Sequence, residues 1–478
     1  MNILEKQSSG LAGLDEILFG GLIPQKAYLI QGGPGSGKST FGLHFLCSSK
    51  GYHGKALYIT LGESEGSIAR SAEKMGIDHS GIHFLDLSPQ EELQENSGSY
   101  SLFSPSEVEH TPIMKAIIDA VEEHKPDRVV LDSITMLRFL YQDAFQMRKM
   151  VLSFIKFITD HGATLMLISE AVESASEQDA TFLVDGVIHL KEGSDWRKIQ
   201  IRKYRGSEFM SGEHAFKIDK KGITVFPRMR ANEYSRRFEG GVLSSGVDGI
   251  DELLHGGIEQ GTVTLIVGAT GVGKTNLGVQ FLKEAATRNE RSALYSFEES
   301  KELIINRSEN LNIPVEKMME TGNLKIMPVE PLSYSPDEFS KMVRTDVEEN
   351  GTRLVMIDSV GGYDLAIRDE DILERLHSLT VYLQNMGVTT LLINESPQVS
   401  GPLSATEMNA SYLSDNIIYI RYVETNGEIR KFVGVLKKRL SDFEKSVREY
   451  IITSEGLQVG KPVKNMRGIL GANPQLTD

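Results

Sequence analysis

The sequence predicts an α/β protein made twice over: two tandem domains, residues 1–238 and 239–478, each a mainly parallel sheet with helices on both faces. Three observations predict it. A glycine-rich phosphate-binding loop occurs twice, as Gly32-Gly33-Pro34-Gly35-Ser36-Gly37-Lys38-Ser39 and Gly268-Ala269-Thr270-Gly271-Val272-Gly273-Lys274-Thr275, and both fit G-x-x-x-x-G-K-[ST]. The loops lie 236 residues apart, and the segments before them repeat at the same offset, Ser8-Ser9-Gly10-Leu11-Ala12-Gly13-Leu14-Asp15-Glu16 against Ser244-Ser245-Gly246-Val247-Asp248-Gly249-Ile250-Asp251-Glu252. Each half also runs through short, uniformly apolar stretches separated by helix-like ones, the pattern of a parallel sheet covered on both faces.

Taken in order, each half opens with an apolar strand, Ala27-Tyr28-Leu29-Ile30 or Thr262-Val263-Thr264-Leu265-Ile266-Val267, that leads into the loop. After the loop, apolar residues recur three and four apart, which predicts a helix. Strand, glycine loop, helix is the context the motif requires. Next come Arg128-Val129-Val130-Leu131-Asp132-Ser133 and Arg353-Leu354-Val355-Met356-Ile357-Asp358-Ser359, apolar strands that end in an aspartate. Thr164-Leu165-Met166-Leu167-Ile168-Ser169-Glu170 and Thr389-Thr390-Leu391-Leu392-Ile393-Asn394-Glu395 are strands that end in a polar pair. Asp132 follows Lys38 by 94 positions, whereas Asp358 follows Lys274 by 84. The excess falls in the Ser/Glu-rich stretch around Pro89 to Pro112, which reads as a solvated surface insertion. The join lies in the polar stretch from Arg228 to Glu239, which lacks strand or helix periodicity, and the boundary is placed at about 238.

A formal charge of -15 argues against a standing basic surface for nucleic acid. The single cysteine, Cys47, cannot form an internal disulfide and reads as a buried helix position. Apolar runs fall far short of the ~20 residues that span a bilayer. The expectation is a cytoplasmic protein without a membrane partner.

The loops define the chemistry. Backbone N–H groups of Gly33, Gly35, Ser36 and Gly37, and of Thr270, Gly271, Val272 and Gly273, together with the following helix N-termini, make a concave anion site for ATP that extends to Thr40 and Asn276. Lys38 and Lys274 add a point charge at the β and γ phosphates, while Ser39 with Asp132, and Thr275 with Asp358, supply the hydroxyl and carboxylate that hold Mg²⁺. At the 236 offset, Gly62-Glu63-Ser64 aligns with Glu298-Glu299-Ser300 at the end of the strand after the loop helix. Glu63, Glu298 and Glu299 are therefore the candidate catalytic carboxylates. Late in each half comes a basic cluster, Lys203-Tyr204-Arg205 and Lys437-Lys438-Arg439, at a consistent offset of 234. Alternating Lys and Arg on a strand is ordinarily a solvated face. Recurrence in both halves points instead to cations that meet the γ-phosphate, often in trans from a neighbouring subunit.

Together these residues resemble the KaiC family, double-domain ATPases of the RecA-like superfamily that include the cyanobacterial clock kinase. The duplicated S-S-G-x-x-G-[LI]-D-E opening, both loops, Phe297-Glu298-Glu299-Ser300 and Lys203-Tyr204-Arg205-Gly206 carry the resemblance, which runs from Ser8 to about Pro474. It implies a homo-hexamer of stacked rings with ATP at subunit interfaces, a slow ATPase in the first ring, and a second ring that transfers phosphate to its own hydroxyls. By position, Glu298 and Glu299 serve the second ring with Lys437 and Arg439 as trans contacts, and Glu63 serves the first with Lys203 and Arg205. Where the family carries a glutamate before Glu63, this chain has Gly62. The gap-free segment from Asn394 to Ile417 places the family's adjacent phosphoacceptor pair on Ser411 and Tyr412, so the serine is kept and the threonine is not; Thr406 matches a further family threonine. Val463 to Pro474 resembles the loop that lines the second ring's pore; in the clock protein a longer tail recruits an activator, and the expectation here is no dependence on such a partner.

The leading expectation is a Mg-ATP-dependent hexameric regulator, of signalling or clock type, with ATP hydrolysis in both rings, serine autokinase activity in the second, and room for a regulatory protein partner. Two alternatives stay open: a RecA-like nucleic-acid-dependent ATPase, against which the charge counts, and an ATP-assembled scaffold with little turnover, for which Gly62 speaks.

Overall fold

The computed structural model describes residues 5–48, 55–89, 112–137, 144–170, 180–193, 195–368, 371–396, 411–425, 427–463, 466–467 and 475–476. Packing divides the chain into two compact units, Met1–Arg228 and Met229–Asp478. The division falls after Arg228 rather than at 238 because the polar stretch that follows is docked on the second unit. Met229, Ala231 and Tyr234 pack against its core. The Tyr234 ring meets Tyr382 edge-on at 5.1 Å, and Arg236 donates its N–H to the Asn385 carbonyl at 2.9 Å.

The first unit holds β1 (Ala27–Gly32), β2 (Ala56–Thr60), β3 (Ile82–Asp86), β4 (Arg128–Asp132), β5 (Thr164–Glu170), β6 (Gly186–Glu192), β7 (Arg197–Tyr204), β8 (Glu213–Asp219) and β9 (Gly222–Phe226). They form one sheet in the order β3-β2-β4-β5-β1-β6-β7-β8-β9, parallel as far as β6 and antiparallel beyond it. Every residue of β1 is buried, as a parallel strand covered on both faces should be. Ala27 and Leu29 point into one core with Leu57, Leu131 and Leu167, while Tyr28 and Ile30 point into the other with Phe41, Tyr58 and Ile168. The period of two along the strand thus feeds two cores.

The second unit repeats the plan. A short antiparallel pair, β10 (Val242–Leu243) and β11 (Ile258–Glu259), precedes β12 (Val263–Gly268), β13 (Ser292–Ser296), β14 (Leu324–Pro328), β15 (Leu354–Asp358), β16 (Thr389–Glu395), β17 (Asn416–Thr425), β18 (Glu428–Lys438), β19 (Arg448–Thr453) and β20 (Gly456–Pro462). The sheet order, β14-β13-β15-β16-β12-β17-β18-β19-β20, is that of the first unit, strand for strand.

The duplicated opening motif is a folding device. Asp15 accepts from the Ser8 hydroxyl at 2.6 Å, the Ser9 N–H at 2.8 Å and the Ser9 hydroxyl at 2.6 Å; Asp251 accepts from Ser244 and Ser245 in the same way at 2.5, 2.7 and 2.8 Å. A carboxylate that takes three donors pins the turn before the short helices Ala12–Ile17 and Asp248–Leu253.

Cys47 ends the helix Lys38–Cys47 half-buried, and burial pushes its thiol up to about 11. The expected insertion at Pro89 to Pro112 lies almost wholly outside the described residues, as does Thr406, and the pore-loop resemblance is described only at Val463, Met466 and Arg467. Among the described residues no helix is long and apolar enough to cross a membrane.

Candidate nucleotide sites

Both loops leave the carboxyl ends of the central strands β1 and β12 and turn at once into helices, Lys38–Cys47 and Lys274–Thr287. The turn depends on Gly37 and Gly273, left-handed N-caps with φ of 96° and 108°. A β-carbon on either would strike Ile218 or Ile452 at 2.5 Å, so only glycine starts these helices here. Their positive ends, with Thr40 and Asn276 in the first turns, face the loops.

The lysines are tethered differently. The Lys38 ammonium donates to the Gly32 and Gly33 carbonyls at 2.9 and 2.7 Å, and burial lowers its pKa. Lys274, buried, donates to the Ala269 carbonyl at 2.9 Å and lies 3.5 Å from a carboxylate oxygen of Glu395, which also accepts from the Thr270 hydroxyl at 3.0 Å. Glu395 ends β16, so a carboxylate already sits on the loop lysine in the second unit.

Sheet order then delivers the strand-end aspartates. The strands β1 and β4 flank β5, and β12 and β15 flank β16, in register, so the loop helix carries its second residue to the aspartate. Ser39 donates to Asp132 at 2.6 Å and Thr275 to Asp358 at 2.7 Å. Burial, followed by the charges of Glu299 and Glu298, raises the Asp358 carboxyl to about 6, against the pull of the Thr275 hydroxyl and Arg307. Hydroxyl and carboxylate oxygens side by side are the donor set hard divalent cations take, and lysine with a helix N-terminus is the set phosphates take.

In the second unit these groups line one cavity of about 280 Å³, with Glu298, Glu299 and Arg307 on its wall. Glu298 is exposed and accepts from the Ser359 hydroxyl. Glu299 is gripped by Arg307 through two contacts of 2.5 and 2.7 Å. The first unit differs at each point. Gly62 stands where the second has Glu298, and Glu63 accepts from the Ser67 hydroxyl at 2.5 Å. Tyr58 donates a second hydrogen bond to Asp132, at 2.7 Å, where the second unit has Leu294. Burial and that carboxylate push the Tyr58 hydroxyl's pKa well up.

The basic clusters lie at the other end of each sheet. Lys203 pairs with Val187 and Tyr204 with Gly186 at the start of β6, level with Tyr28 at the start of β1. Likewise Lys437 and Lys438 pair with Ile417 and Asn416, level with Thr264 and Leu265. The loops leave from the opposite ends of β1 and β12, a strand length of about 17 Å away. The Lys203 ammonium is held by the carbonyls of Thr181, Phe182 and Val184, and that of Lys437 by Ser414. Arg205 and Arg439 are exposed, and Arg439 lies 3.3 Å from Asp415. Ser411 and Tyr412 belong to a short 3-10 turn, Ser411–Leu413, at this same end; Tyr412 is 57% exposed, its ring 5.8 Å from that of His377.

Three participants escaped sequence reasoning. Arg307 lies on the helix Lys301–Glu309, eight residues after Glu299, which precedes that helix's N-cap, so no helical spacing ties the two. Glu395 was visible only as half of the polar pair that ends its strand, with nothing to tie it to Lys274, and Tyr58 lies inside an apolar strand where nothing in the pattern marks it.

Two RecA-like α/β domains in tandem, each with a phosphate-loop lysine, a hydroxyl and a strand-end aspartate, define a double P-loop protein. The KaiC ATPase profile matches residues 7–230 and again 243–464, and the chain belongs to that family. It is similar to the circadian clock oscillator protein KaiC of Parasynechococcus marenigrum (strain WH8102), 29% identical over 98% of this chain and 93% of that protein. It is also similar to KaiC of Prochlorococcus marinus (strain MIT 9313), 28% identical over 99% and 97%, and to KaiC 1 of Synechocystis sp. (strain ATCC 27184 / PCC 6803 / Kazusa), 29% identical over 98% and 92%.

Proposed function

We propose that the protein is a Mg-ATP-dependent ATPase that assembles as a homo-hexamer with ATP between subunits and acts as a regulator of signalling or clock type. The observation that carries the reading is the second-unit cavity, where Lys274, Thr275 with Asp358, and Glu298 converge. Loop N–H groups and Lys274 would hold the phosphates, and Thr275 with Asp358 would hold Mg²⁺, which would supply positive charge to offset that of the phosphates. Glu298 accepts the proton of the attacking water, or of a substrate hydroxyl, as ADP leaves. Ser411 is the acceptor favoured for autophosphorylation, with Tyr412 beside it.

Lys203, Arg205, Lys437 and Arg439 act on the nucleotide of a neighbouring copy, a role favoured by their place at the far end of their own sheets. Ser411 and Tyr412 share that place, so phosphate transfer is between copies as well. A scaffold role for the first unit's nucleotide is favoured by Gly62.

Purified protein incubated with γ-phosphate-labelled ATP and magnesium tests the reading, with native mass and phosphosite mapping alongside. Hexamers, magnesium-dependent turnover and label on the Ser411–Tyr412 turn are expected. Label incorporated by Lys274→Ala as fast as by the parent would sink second-unit autokinase activity, and turnover that rises with DNA and collapses with salt would favour a nucleic-acid motor.

A further inference from the structure

Resting on the reading of the second unit as hydrolytic, we propose that Arg307 is a positioning residue that holds Glu299 aside and so leaves Glu298 as the carboxylate that works on the nucleophile. Glu298 and Glu299 are adjacent at the end of β13, yet they are engaged quite differently. Glu299 is half-buried and meets the Arg307 guanidinium through two contacts, at 2.5 and 2.7 Å, a fork that fixes the plane of a carboxylate as well as its charge. Its main chain is held too: its carbonyl accepts from the Ser296 hydroxyl at 2.8 Å, and its N–H donates to that oxygen at 3.2 Å. Glu298 is exposed and takes one hydrogen bond, from Ser359, the residue after Asp358. That bond aims it at the hydroxyl–carboxylate pair and leaves oxygen lone pairs for a proton.

The first unit carries an independent observation. Ile68 and Ile304, and Ile77 and Ile313, are buried at the common 236 offset and anchor the register of the two segments. In that register Gly62 stands opposite Glu298 and Ser71 opposite Arg307. The unit without the first glutamate is also without the clamp. Glu63 makes do with the Ser67 hydroxyl. Where two glutamates must be told apart an arginine stands at this register; where there is one, Ser71 stands there, with Arg70 one position before it.

The clamp has a signature that a merely structural arginine lacks. Unclamped, Glu299 competes for the position of Glu298; with its charge removed as well, there is nothing left to clamp. Steady-state ATPase assays on the full chain test this, with the rate left in Glu298→Gln taken as the first unit's share. Arg307→Ala should lower the second-unit kcat about tenfold with KM changed less than about threefold. Arg307→Lys should lose nearly as much, because an ammonium cannot form the fork. Arg307→Ala combined with Glu299→Gln should recover to within about threefold of Glu299→Gln alone.

A loss that persists in the double variant, or one confined to KM, overturns the proposal; melting temperature and hexamer mass separate either from misfolding. Glu298→Gln turning over like the parent would instead remove the hydrolytic reading on which the proposal rests, whatever Arg307 does.

Discussion

Asp358 ends β15 at 7% exposure, and its carboxyl titrates near 6 instead of the ordinary 3.8. Between those values the folded protein binds a proton that the unfolded chain has released, so this group's contribution to stability falls as pH rises through the window. Asp358→Asn should therefore stabilise the nucleotide-free protein by about 1–3 kcal/mol at pH ~7.5, with the gain gone near pH ~4, as read by urea melts. Nucleotide binding with magnesium should strengthen as pH rises through about 6 in the parent and lose that dependence in the variant. At Gly62 a β-carbon would make an ordinary 3.7 Å contact with Met136, so a side chain fits. Gly62→Glu in a Glu298→Gln background should raise residual ATPase several-fold; an unchanged rate would mean the missing carboxylate is not what limits the first unit. Lys38, Ser39, Lys274 and Thr275 were legible because the motif ties chemistry to spacing along the chain. Arg307 and Glu395 were not, because their contacts arise from a helix face and a strand end brought together only by the sheet.

At the scale of elements, the parallel strands were legible as uniformly apolar runs, and Leu392, buried in β16, shows what such a run does. Leu392→Ala should cost about 2–5 kcal/mol of second-unit stability in thermal or denaturant melts. Alternating charge identified the strand that carries Lys203 and Arg205, but not which end of the sheet it would occupy, since that depends on β6 running parallel to β1 and β7 turning back. Lys203 serves three carbonyls, so Lys203→Met should destabilise the first unit by about 1–3 kcal/mol, while Arg205→Ala, an exposed side chain, should leave its melting unchanged. The repeat of the opening motif was visible from the first residues, whereas its work, three donors on one aspartate, depends on a turn geometry that spacing alone leaves open.

For the whole molecule, duplication was legible and so was inequality: the same strand order twice, with a carboxylate pair in one copy only. The compact units divide after Arg228, ahead of the polar stretch, because Met229 and Tyr234 of that stretch are packed on the second unit's core. Subunit mixing tests the role assigned to the basic clusters. Chains carrying Lys274→Ala and chains carrying Arg439→Ala should each be deficient in second-unit turnover, yet an equal mixture should regain activity at about a quarter of its interfaces, where an intact loop meets an intact arginine. No regain would place Arg439 outside the site.

The distance between loop and basic cluster, opposite ends of one sheet, carries a last consequence. On the proposed reading, each copy receives a neighbour's basic cluster at its loop end and offers its own from the far end, and unless both ends meet one partner in a reciprocal two-fold pair the association is heterologous. In a heterologous association each copy added completes one site and opens another, until the series closes on itself or runs on as a filament. Any open series ends in a subunit whose nucleotide has no donor. Turnover per chain should accordingly climb steeply at the concentration where closure occurs, and light scattering read beside the ATPase rate would show both rising together.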